Sequence, residues 1–231
     1  MASKYKSNMN NWRVITRDTG KFIDRAEAGN LLAKQLSVFT GKQALVLGIP
    51  RGGMVVAKEI AKQLDADLDI ILSRKLRSPG QPELAFGAVS EDGQVLLNLE
   101  IVQLLHISDQ YIEYEKTIQL EEINRRSHLF RSIRPKVSLE GRTVIVVDDG
   151  VATGATFKSA LSAARIESPG RLIAAIPLAP LETVVELAAM ADEVVCLRSP
   201  AVFSAVGQFY GLFEQLKEAD VENILREYTG H

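Results

Sequence analysis

Apolar residues in this chain fall into short blocks with two alternating spacings. Residues 44–49 (ALVLGI) are a continuous apolar run, and 68–72, 143–147, 172–178 and 193–197 repeat the theme. Between the runs the spacing changes: Val56, Ile60 and Leu64 recur at helical intervals, and residues 157–164 and 181–190 carry similar patterns. Buried runs separated by helices predict an α/β fold, a mainly parallel sheet with helices on both faces. Ahead of the first run, Asp24 stands where an N-cap is wanted, and Ala28, Leu31, Leu32, Leu36 and Phe39 follow at helical spacing. Residues 1–21 are polar and aperiodic, so they are read as an N-terminal arm, with order beginning near Phe22 and a single domain over 22–231.

One stretch breaks the alternation. Residues 84–89 and 94–98 flank 90–93, where Asp92-Gly93 is a strong hairpin signal. Residues 109–131 then predict a long polar helix. Its carboxylates (Asp109, Glu113, Glu115, Glu121, Glu122) lead and Arg125, Arg126 and Arg131 trail, as the helix dipole favours. Glu121–Arg125 and Glu122–Arg126 add support at four-residue spacing, and Pro135 should stop the helix. Residues 84–135 therefore read as a hairpin-plus-helix insertion into the α/β core.

Composition narrows the function classes. With 231 residues and a formal net charge of −2, the chain offers no whole-protein electrostatic case for nucleic acid or a membrane surface. Cys196 is the single cysteine, which excludes a disulfide framework or a cysteine-rich metal site. No apolar run is long enough to cross a bilayer and the N-terminus has no h-region, so a soluble cytoplasmic protein is expected. The three histidines, His106, His128 and His231, are scattered on polar ground and read as surface residues.

The chemistry concentrates after residues 144–147, a β-branched run ending in Asp148 and Asp149. The C-terminal edge of an open parallel sheet is where ligands bind, and an adjacent acid pair is costly unless a cation or hydrogen-bond donors meet it. Vicinal ribose hydroxyls or a metal ion would serve. Gly150 and Val151 lead into Ala152, Thr153, Gly154, Ala155 and Thr156, then a helix. Small residues let backbone N–H groups turn towards an anion, two threonine hydroxyls add donors, and the helix N-terminus favours negative charge. That order describes a ribose 5-phosphate cradle; a tight strand-to-helix turn capped by Thr156 is the structural alternative. A Walker B strand would also end in acids, yet no GxxxxGK[ST] loop exists in the chain. A receiver-type acidic pocket needs further carboxylates, which residues 44–51 do not offer.

Residues 144–156 (VIVVDDGVATGAT) resemble the 13-residue signature of type I phosphoribosyltransferases over its full length. The segments FIDRAEAGNLLA, LGIPRGG and SRKLRSPGQPELAFGAV extend the resemblance to a branch of predicted bacterial and archaeal phosphoribosyltransferases. The resemblance implies the type I fold and 5-phosphoribosyl-1-pyrophosphate as donor. It also implies Mg²⁺ as cofactor, a small-molecule acceptor and a homodimer. Asp148 and Asp149 would hold the ribose hydroxyls and the metal, and Ala152, Thr153, Gly154, Ala155 and Thr156 the 5-phosphate.

Residues 48–53 (GIPRGG) end a strand and open a helix at the same expected sheet edge. Arg51 supplies a fork for phosphate oxygens, while Gly52 and Gly53 permit close approach; an ordinary βα loop is the alternative. The loop resembles the family's pyrophosphate loop, where a cis peptide is expected at Arg51-Gly52. Arg74 and Lys75, in the cationic run 73–77 that closes the second strand, are read as further pyrophosphate contacts, with Arg51 and Lys75 assisting catalysis. Residues 78–83 are rich in Pro and Gly and occupy the place of the family's mobile loop.

Residues 198–211 are the candidate hood over the acceptor. Phe203 and Val206, with Phe209 and Tyr210, could stack on a planar base or pack the final helix beside Leu212, Phe213, Leu216, Ile224 and Leu225. Phe22 and Arg25 either complete the hood or, for Arg25, face solvent. Enzymes acting on 6-oxopurines resemble this motif but carry an Asp where this chain has Ala152, which points away from hypoxanthine and guanine. The reaction implied is phosphoribosyl transfer to a nucleobase or similar nucleophile with release of pyrophosphate. The alternative is a regulatory module that binds the donor as effector.

Overall fold

The computed structural model describes residues 11–228. Its main sheet has six parallel strands in the order β1-β9-β8-β7-β2-β3. These strands are β1 (Trp12–Thr16), β2 (Leu45–Gly48), β3 (Asp67–Ile70), β7 (Thr143–Val147), β8 (Arg171–Leu178) and β9 (Glu193–Arg198). Alternate residues of each central strand enter opposite cores. Val46, Ile145, Val147, Ile173 and Val195 join α1 (Arg25–Gln35), α2 (Gly52–Leu64) and α7 (Glu218–Glu227) on one face. Leu47, Val144, Val146, Ala174 and Cys196 join α5 (Ala155–Ile166) and α6 (Leu181–Ala188) on the other. The α/β architecture with both faces covered is as the hydrophobic pattern predicts. Burial pushes the lone thiol of Cys196 up to about 12, so it behaves as a small core residue.

Local chemistry sets the boundaries. Asp24 caps α1 by accepting from the Glu27 amide at 2.8 Å, as its position predicts. The helix at Asp109–Arg131 (α4) begins behind Ser108, whose hydroxyl accepts from the Tyr111 amide.

Two expectations are corrected. Order does not begin at Phe22: Trp12–Thr16 add a parallel edge strand to β9, and Trp12 and Val14 lean on the core. Alternation over five residues is too short a signal inside a polar segment. Residues 1–10 of the expected arm, and His231, lie outside the described residues.

The insertion also starts earlier than residue 84. Ser73–Ser78 (β4) does not prolong β3; it pairs antiparallel with Gln81–Ser90 (β5), which pairs with Val95–Leu97 (β6). Pro79 and Gly80 make the turn, with Ser78 opposite Gln81 and Gly80 at φ +70°, so the Pro- and Gly-rich segment is the end of a tight hairpin. A short helix, α3 (Leu99–Leu104), leads to α4, which packs on β4 and β5.

Candidate active site

β7 and β2 are neighbours in the sheet, so the loops that leave their C-terminal ends share one edge. Asp148 and Asp149 follow β7 directly. Their environments differ. Burial, followed by the adjacent charge of Asp149, pushes the Asp148 carboxyl well above the usual range. Its Oδ1 accepts from the Asp149 amide at 2.8 Å. Asp149 is instead paired: Arg25 Nε reaches its Oδ2 at 2.7 Å, with both side chains largely shielded from solvent. The Arg25 guanidinium lies 3.9 Å over the Phe213 ring, and its Nη1 donates to the Glu214 carbonyl. Tyr210 donates its hydroxyl to the Asp149 carbonyl at 2.5 Å, and its burial pushes the phenol further up, keeping it a donor.

The loop after β2 lies directly against this pair. A Cβ on Gly52 would fall 1.9 Å from Asp149 Oδ2, and one on Gly53 would fall 2.7 Å from the Val147 carbonyl. Neither position has room for a side chain. Gly154 adopts φ +78° at the start of α5, turning residues 152–156 across the helix N-terminus. Thr183 fastens that loop by donating to the Ala152 carbonyl at 2.8 Å.

Beside the loop lies a cavity of about 460 Å³. Thr153, Ala155, Thr156 and Ser159 form one wall, Ile49, Pro50, Ile71 and Leu72 the floor. β4 and α4 contribute Arg74, Lys75, Arg77, Gln119, Glu122 and Arg126 to its lining. Four cations face a single carboxylate there, in a chain whose net charge is −2. The cavity is thus electropositive, walled by hydroxyls and a helix N-terminus, and suited to phosphate groups.

The sequence-derived residues fall into three groups. Asp148, Asp149, Gly52 and Gly53 converge at the sheet edge; Thr153, Ala155, Thr156, Arg74 and Lys75 line the adjoining cavity. Arg51 is exposed at the start of α2 and does not line that cavity. The cis peptide is Pro50-Arg51, one bond before the expected position, since Gly52 is already the first residue of α2.

In the hood, Val206 abuts the acid loop, so that a Cβ on Gly150 would lie 2.6 Å from its Cγ1. Phe203 packs on Phe209 at 5.3 Å between centroids. Phe209 and Tyr210 are 4% and 3% exposed and belong to the core, leaving their rings no open face for a base. α7 begins only at Glu218, so Phe213 does not pack the final helix; it stacks on Tyr210 and Arg25. Sequence reasoning misses this role of Phe213, and leaves Arg25 open between hood and solvent. Arg25 is 9% exposed, in contact with the acid pair. An Arg one residue after an N-cap Asp, within a segment resembling the family, is the available signal.

Among the described residues no group of three or more His, Cys, Asp or Glu side chains could hold a metal. The adjacent acids offer hard oxygen donors but no cage. That donor set fits a magnesium ion carried largely by a ligand's own phosphates and hydroxyls.

A doubly covered parallel sheet, a small-residue loop at a helix N-terminus and an acid pair at the same edge make an arrangement chemically suited to phosphorylated sugars or nucleotides. The family follows from comparison: the phosphoribosyl transferase domain model matches residues 23–211, and the chain belongs to that family. It is 46% identical over 200 residues to Rv0571c of Mycobacterium tuberculosis H37Rv, whose name assigns it provisionally to the phosphoribosyl transferases. A protein of the CDC 1551 strain matches equally, and the alignment covers 87% of this chain but only 45% of each relative. The crystal structure of TT1426 from Thermus thermophilus is similar over 91% of this chain and all of that one, at 44% identity and a TM-score of 0.85. No helix among the described residues is long and apolar enough to cross a membrane.

Proposed function

We propose that this domain transfers the 5-phosphoribosyl group from 5-phosphoribosyl-1-pyrophosphate to a nucleobase or similar small nucleophile, releasing pyrophosphate. The observation that carries the reading is the shared edge. The acid pair, the 152–156 loop and a cavity walled by Arg74, Lys75 and Arg77 lie side by side.

In this reading Thr153, Thr156 and the amides of residues 154–156 hold the 5-phosphate. Asp148 and Asp149 accept from the ribose hydroxyls, and their carboxylates favour the positive charge that develops at C1. Arg74, Lys75 and Arg77 take up negative charge on the departing pyrophosphate, with Arg51 at the mouth of the loop. The C1–O bond breaks with its electron pair leaving on pyrophosphate, a nitrogen lone pair of the acceptor forms the new bond, and the proton of that nitrogen is released to solvent. Asp148 and Asp149 would hold a magnesium ion brought by the donor, which would supply neutralisation of phosphate charge. Val206 and Phe203 border the face where the acceptor enters. Ala152, in place of an acid, disfavours a 6-oxopurine there.

The test is pyrophosphate release from the donor with magnesium and a panel of bases. Release that depends on one base and is abolished by Asp149→Ala supports transfer. Tight donor binding with no turnover on any base favours an effector-binding module, and full-rate turnover by Asp149→Ala refutes the role of the acid pair.

A further inference from the structure

The insertion helix carries two polar residues in its buried stripe. Glu115 is 2% exposed and Gln119 3% exposed, where a lone polar side chain would be costly. Both are fully engaged, and both with the cationic strand. Glu115 Oε1 accepts from the Arg77 amide at 3.1 Å, from Arg77 Nε at 2.7 Å and from Gln119 Nε2 at 2.9 Å. That last bond orients the Gln119 amide, leaving its Oε1 to accept from Arg74 Nε at 3.0 Å. The pairing of β4 with β5 shifts register on both sides of Arg77, which takes its N–H out of the ladder and turns it to Glu115. Tyr111 completes the clamp by donating its hydroxyl to the Arg77 carbonyl at 3.1 Å.

Each guanidinium is therefore gripped at its Nε, Arg77 also through Nη2 to Glu115 Oε2 at 3.5 Å, and both arginines line the cavity that Thr153 and Thr156 line as well. Helix α4 would need none of this to dock, since Ile112, Ile123 and Phe130 already bury apolar surface. We propose that Glu115 and Gln119 are positioning residues for the donor's pyrophosphate, holding the Arg74 and Arg77 forks aimed into the cavity. The insertion is then part of the donor site. This inference rests on the phosphoribosyl-transfer reading.

Calorimetric titration of 5-phosphoribosyl-1-pyrophosphate with magnesium, and separately of ribose 5-phosphate, tests it. Gln119→Leu keeps the bulk of the side chain and removes the acceptor for Arg74. The expected result is about tenfold weaker binding of the donor with ribose 5-phosphate changed by less than about twofold. In an Arg74→Met background the same substitution should add no further loss, because Gln119 acts through Arg74. If Gln119→Leu folds poorly, Glu115→Gln is read instead against an Arg77→Met background, because Glu115 acts through Arg77. Equal weakening of both ligands, an effect that persists without Arg74, or unchanged donor binding would each overturn the inference while the transfer reading stands. Wild-type protein that binds neither ligand would overturn both.

Discussion

Replacing Arg25 with Ala removes the cation that meets Asp149. The two charged atoms are 2.7 Å apart, and the side chains are 10% and 14% exposed. At an effective dielectric of about 20, Coulomb attraction at that separation is roughly 6 kcal/mol before desolvation is subtracted. Burial of both groups offsets much of it, yet removing one partner alone leaves a shielded carboxylate beside Asp148. Breaking such a pair costs about 3–5 kcal/mol. The stack on Phe213 and the bond to the Glu214 carbonyl go as well. For a domain of this length about 1 kcal/mol shifts the melting temperature by roughly 2–4 °C, so Arg25→Ala should melt about 6–20 °C lower. Asp149→Asn should recover part of that loss, because the uncompensated charge is removed. A double-mutant cycle by urea unfolding should give a coupling of at least about 1 kcal/mol. Coupling below about 0.5 kcal/mol, or a shift under about 2 °C for Arg25→Ala, would refute the claim that Arg25 is the fixed counter-ion of the acid pair.

Three further outcomes follow from the geometry. Gly52→Ala places a methyl group 1.9 Å from Asp149 Oδ2; the carboxylate or the loop must shift, and donor turnover should fall about 100-fold. Activity within twofold of wild type would show that the two loops do not share one surface. Tyr210→Phe leaves the Asp149 carbonyl without its 2.5 Å donor and should cost about 1–3 kcal/mol in denaturant unfolding, whereas an unchanged midpoint would show that this tether carries no stability. Glu91 gives a pH signature. Burial alone would raise its carboxyl, but bonds from Arg131 and Ser127 and the nearby charge of Lys136 hold it below the usual range. Asp69 shares Arg131, Asp92 and Glu167 share Lys136, and all belong to the same cluster. With the folded value lowered, this stability is present above the unfolded carboxyl pKa of about 4.3 and is lost as pH falls through the folded one. Glu91→Gln should therefore cost about 1.5–3 kcal/mol at pH 7 and progressively less in acid; a constant difference from pH 7 to pH 3 would contradict it.

The parts of the fold legible in the sequence are those carried by one period over enough residues. Buried apolar runs mark β2, β7, β8 and β9, and the charge gradient marks α4 at its observed bounds. The two loops of the candidate site are legible because glycines, acids and threonines at a strand end have few structural reasons to occur together. What fails is local. β1 has one half-buried residue in two over five positions inside a polar segment. β4 merges with β3 in the sequence because nothing in 71–73 announces a change of sheet, although Pro79-Gly80 is a turn signal that fits a hairpin. Periodicity alone sends Phe213 to the last helix, since its stacking on Arg25 joins residues far apart in the chain.

Helix α4 shows why a correct element can still be misread. Charge order alone places its carboxylates at the solvated, dipole-favoured end, and for Asp109 and Glu113 exposure agrees. Yet the residues it buries are Ile112, Glu115, Gln119, Ile123 and Phe130, at successive spacings of three, four, four and seven. That is one face of a helix. A stripe with apolar ends and two polar residues in its middle has no packing rationale, because Leu at both positions would bury more apolar area without demanding partners. The partners are Arg74 and Arg77, two of the three cations in a strand of six residues, whose repulsion a buried carboxylate and an amide offset. Polar residues interrupting an otherwise apolar stripe are thus the trace, in sequence, of a helix that docks on a charged strand. That charged strand is a wall of the electropositive cavity.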